Sequence, residues 1–61
     1  MFRVEAVGPA GVVYGVDREL RLTFPDRATK FESEEEAELY CREFACRTTQ
    51  KLIVHVEEVE E

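Results

Sequence analysis

The chain has no tryptophan and no asparagine, one amide side chain (Gln50) and one histidine (His55). Each scarcity narrows the reading. With a single histidine, any acid–base or metal chemistry must run through His55, and a general base also needs a positioned partner that the pattern does not supply. Few thermolabile amides beside 36% charged residues fit a thermophilic source, whereas the excess of six arginines over two lysines is equally explained by codon bias. No apolar run extends beyond a few residues, and no basic segment followed by an apolar one opens the chain. A membrane span and a secretory signal are therefore not expected, and a cytoplasmic location is. Nucleophile and phosphate-loop patterns are missing as well. Gly8, Gly11 and Gly15 lack the spacing of a phosphate loop and its strand-to-helix setting, and Ser33 is committed to a helix cap rather than to an elbow motif.

The two cysteines do not form a staple. Cys41 and Cys46 both fall in a helical pattern, about 7.5 Å apart along the axis and about 140° apart around it. That is out of reach of a disulfide and unlike the tight ligand pairs of zinc sites, so Cys41, Cys46 and His55 are not read as a metal centre. Two free thiols fit a reducing compartment. Cys41 reads as a small buried hydrophobe.

What is present suffices for one small domain spanning 1–61. A chain of 61 residues buries only about 60% of its unfolded surface, yet 44% of it is hydrophobic, including four Phe and two Tyr. Fourteen acidic against eight basic residues give a net charge of −6, a sign that repels nucleic-acid phosphates and anionic membranes and attracts basic partners. Arg3 and Arg21 are placed together on the outer sheet face, diluted by Glu5 and His55. Phe2, Tyr14 and Phe24 are assigned to the core rather than to base stacking.

Alternation marks the strands. Phe2–Val7 alternates apolar and charged residues, with Phe2, Val4 and Ala6 inward. Gly8-Pro9-Ala10-Gly11 is a turn, and Val12–Val16 returns as the second arm of a hairpin, with Tyr14 on the side of Val12 and Val16. Asp17-Arg18-Glu19 breaks the chain, Leu20–Phe24 reads as a third strand, and Arg27–Phe31 is an extended connection with room for a short bridge. Ser33 followed by Glu36 is a capping box, and Glu34, Glu35 and Glu36 suit the positive end of the helix dipole. The helix runs to about Thr48, with Ala37, Tyr40, Cys41, Phe44 and Thr48 on one face. Leu52–Val56 closes the order β-β-β-α-β, and 57–61 is predicted to fray as an acidic tail. The fold class is α+β: a mainly antiparallel sheet with one helix packed on one face.

The stretch from Ala28 to Ala37, Ala-Thr-Lys-Phe-Glu-Ser-Glu-Glu-Glu-Ala, resembles a pattern in small uncharacterised bacterial and phage domains. In those, Ala-x-x-Phe precedes a Ser or Thr cap, a Glu-Glu-Ala helix start and a Val-rich closing strand. The resemblance implies a fold and no activity. Strand-then-helix chains of this kind are also similar to small antitoxins of the HicB type, although Val12–Asp17 does not match their aspartate- and glycine-rich second strand.

With no catalytic, cofactor or metal residues identified, the sequence points to a non-catalytic protein-interaction module that self-associates as a homodimer. The alternative is an acidic inhibitor or antitoxin-like regulator of a basic protein. Leu39 and Cys46, seven residues apart and opposite the core face, are the residues assigned to protein contact.

Overall fold

In a computed structural model, which describes residues 1–60, four strands and one helix follow in the expected order. They are β1 (Phe2–Val7), β2 (Val13–Val16), β3 (Leu22–Thr23), α1 (Glu34–Arg47) and β4 (Ile53–Glu58), with a 3-10 turn at Pro25–Arg27. All pairings are antiparallel, and the sheet order is β3-β2-β1-β4.

Two tight turns of the same hydrogen-bonding plan make the meander. In the first, Gly11 N–H donates to the Gly8 carbonyl (3.0 Å), Gly8 N–H donates to Val12 (2.9 Å), and Gly11 sits at φ 80°. In the second, Leu20 donates to Asp17 and Asp17 to Arg21, both at 3.0 Å, and Leu20 takes the left-handed position at φ 62°. Glycine fills that position without cost, whereas leucine strains it. The Asp17 carboxylate holds the second turn by accepting from the N–H groups of Glu19 (3.0 Å) and Arg21 (2.9 Å). This is why the third strand does not begin at Leu20. It is reduced to Leu22–Thr23, and Pro25 ends it by opening the 3-10 turn. The second strand likewise starts at Val13, one residue later than its pattern suggested.

Helix α1 starts where Ser33 Oγ accepts the Glu36 N–H at 3.1 Å, and it ends at Arg47 with Thr48 as C-cap. Its apolar stripe lies against β1 and β4. Ala37 and Phe44 are buried, and Tyr40 and Cys41 pack at their margins. Val4, Ala6, Val16 and Phe31 complete the core, with Phe2, Leu22, Leu52, Val54 and Val56 around it. Phe31 exchanges backbone hydrogen bonds with Phe2 (2.8 and 2.7 Å) and stacks at a tilt on Tyr40, ring centres 4.7 Å apart. The connection after β3 therefore does carry a bridge.

Three expectations are corrected. Phe24 is 69% exposed rather than in the core, because the 3-10 turn carries the chain to the other side of the sheet just after it. Cys41 is only partly buried. Glu57 and Glu58 are strand residues paired with Arg3 and Phe2, and Val59 bonds Met1, so the acidic end is ordered further than its charge suggested. The rest of the predicted tail has no strand pairing at 60, and 61 lies outside the described residues.

Candidate interaction surface

Strand register sorts the side chains into two faces. Phe2, Val4, Ala6, Tyr14, Val16, Leu22, Val54 and Val56 share the helix side, while Arg3, Glu5, Val7, Val13, Gly15, Thr23, Ile53, His55 and Glu57 share the other. The single helix lies over β1 and β4, and on its side of β2 Val16 is buried while Tyr14, nearer the first turn, is left uncovered. Consequently Tyr14 is 36% exposed although it faces inward, and a groove of about 430 Å³ opens among Val12, Val13, Tyr14, Leu22, Thr23 and Phe24.

The opposite face is polar over β1 and β4. Among the described residues Glu5 is the one buried charged residue, 7% exposed. Its Oε2 accepts from Arg3 Nε at 2.8 Å and lies 2.7 Å from Arg3 Nη2, while Arg3 Nη1 donates to the Pro25 carbonyl at 3.1 Å. His55 Nε2 lies 3.5 Å from Glu5 Oε1, and His55 Nδ1 lies 3.9 Å from Glu57 Oε2. Glu5, His55 and Glu57 thus bring three ligand-type atoms within 4.8 Å of one another. The cation at this cluster is already the Arg3 guanidinium. It neutralises the buried carboxylate and would repel a metal ion placed beside it. Arg21 does not join Arg3 here, since its guanidinium pairs with Glu19 and Asp17 inside its own turn.

The chain matches no family model, no curated protein and no solved structure.

Leu39 and Cys46, the residues assigned to protein contact, are both exposed on α1, Leu39 at 60%. The structure separates their surroundings. Leu39 borders a shallow groove with Arg18, Leu20, Tyr40 and Glu43, where the second turn meets the helix, while Cys46 lies two turns further along. Burial pushes the Cys41 thiol up from its ordinary pKa, and Glu38 adds to the effect against Arg42. Sequence reasoning did not single out Phe24 (69%) and Ile53 (72%), the most exposed of the large apolar side chains. Ile53 was recoverable from alternation, since it shares the row of His55. For Phe24 the signal was the proline directly after it, which stops a strand.

Proposed function

We propose that this chain is a non-catalytic protein-interaction module that associates with itself. The observation that carries the reading is the set of large apolar side chains left in solvent: Phe24, Ile53 on the polar sheet face and Leu39 on the outer side of α1 are each at least 60% exposed, and Val12 and Val13 at least 41%. A small domain gains stability when such surface is covered by a partner. Sedimentation equilibrium from micromolar to millimolar protein tests it. Association through apolar contacts persists in high salt, where screening also weakens repulsion between copies of charge −6. A monomer at every concentration overturns the reading.

A second reading is favoured by a different observation. Glu34, Glu35, Glu36 and Glu38 are all exposed at the start of α1, an acidic front suited to a basic protein as inhibitor or antitoxin-like regulator. Binding to such a partner weakens as salt rises, the reverse of the behaviour expected for self-association.

A further inference from the structure

The geometry points to the free edge of β4 as the surface on which a second copy of this chain docks, forming one continuous eight-stranded sheet. The inference rests on the self-association reading and adds the surface, the register and the symmetry.

The two edges of the sheet differ. The β3 edge is two residues long and is stopped by Pro25, whereas β4 runs six residues in unbroken register with β1. Met1 and Val59 exchange both backbone hydrogen bonds, Val59 N–H to Met1 O at 2.7 Å and the Met1 amino group to Val59 O at 3.2 Å. Bonded and non-bonded pairs alternate along an antiparallel ladder. The N–H and C=O groups of Glu57, His55 and Ile53 therefore face β1, and those of Val54, Val56 and Glu58 point out along the open edge. An edge of this length is a template for another strand.

Self-pairing about a two-fold axis at Val56 sets Val56 against Val56, and Val54 against Glu58 of the second copy. Both kinds of pair use the outward backbone groups. On the polar face the same register sets His55 against Glu57 of the second copy, twice, and Ile53 against Val59. No two charged side chains of like sign stand directly opposite each other.

The helix gives an independent argument. Because α1 packs on both β1 and β4, we place its axis between them, about half a strand spacing inside β4. Joining two β4 edges at the usual spacing of about 4.8 Å then brings the two helix axes to about 10 Å, within the range of packed helices. The flank of α1 on that side carries Glu34, Glu38, Cys41, Arg42 and Ala45 beside Val56, around a groove of about 570 Å³. Symmetry makes the two helices antiparallel, so Glu38 of one copy approaches Arg42 of the other, with the small Cys41 and Ala45 between them.

Amide hydrogen exchange on the intact protein, read residue by residue across a dilution series, tests the inference together with sedimentation. The amides of Val54, Val56 and Glu58 are expected to slow at least tenfold as the dimer forms. Glu58→Pro removes one outward N–H and no bond to β1, and it is expected to raise the dimer dissociation constant at least tenfold with an unchanged circular dichroism spectrum. A dimer whose edge amides exchange as fast as in the monomer overturns the β4 edge and leaves self-association standing. If the protein stays monomeric throughout, both fail. The wild-type exchange readout holds whether or not Glu58→Pro folds.

Discussion

Gly15 on β2 lies directly beneath Ala28: a Cβ on Gly15 would come within 2.7 Å of Ala28 Cβ and of the Phe24 carbonyl oxygen. The 3-10 turn at Pro25–Arg27 passes this close because the strand offers no side chain there. At the start of that turn the Pro25 carbonyl accepts from Arg3, whose guanidinium also pairs with the buried Glu5.

Gly15→Ala should therefore destabilise the domain by about 2–3 kcal/mol through overpacking. At an unobstructed position the same change is neutral or stabilising, by up to about 1 kcal/mol. Urea unfolding decides the sign, and a variant as stable as the parent would remove the close approach from the account.

Phe44 is the largest buried side chain that α1 contributes, 5% exposed. Phe44→Ala should cost about 3–5 kcal/mol, a large share of the stability available to a domain of this size. Thermal melting checks it, with a much lower or vanished transition expected.

Arg3 and Glu5 should behave as a unit. Glu5→Ala strips Arg3 of its buried carboxylate and should cost about 1–3 kcal/mol. The double variant with Arg3→Ala should be less destabilised than the sum of the two singles, by about 1 kcal/mol or more. Additive losses in a double-mutant cycle would mean that the pair is not coupled.

The thiols should differ in reactivity. Cys46 is exposed, while Cys41 is partly buried and its thiol is held up by burial and by Glu38. The thiolate is the reacting form, so alkylation near neutral pH followed by mass spectrometry should modify Cys46 first. Cys41 should follow only as pH rises or as the domain opens. Equal rates in the folded protein would contradict its placement at the core margin.

Much of this architecture was legible in the pattern. Alternation in Phe2–Val7 and in Leu52–Val56 located both long strands and their faces, because a half-buried strand repeats every two residues, although the last one runs from Ile53 to Glu58. Ser33 and Glu36 fixed the helix start through a local hydrogen bond. The short third strand escaped because Leu20 looks like a strand residue by composition, while its backbone is set by the Asp17 carboxylate. Phe24 misled for a related reason: hydrophobicity says that a residue gains by burial, not that the chain can turn it inward. Gly15 inside a strand did carry a hint, since such glycines mark close backbone approach, but the pattern does not say what approaches.

The sequence by itself determined the local elements and their order, since periodicity, caps and turn residues act within a few positions of one another. Only the tertiary structure decided that β1 is central, that Glu5 is buried beside Arg3 and His55, and that β4 is left as the long open edge. Those facts depend on which distant segments pair and on how much sheet a single helix can cover. They join residues some fifty positions apart, such as Glu5 and His55, whose proximity no local pattern records.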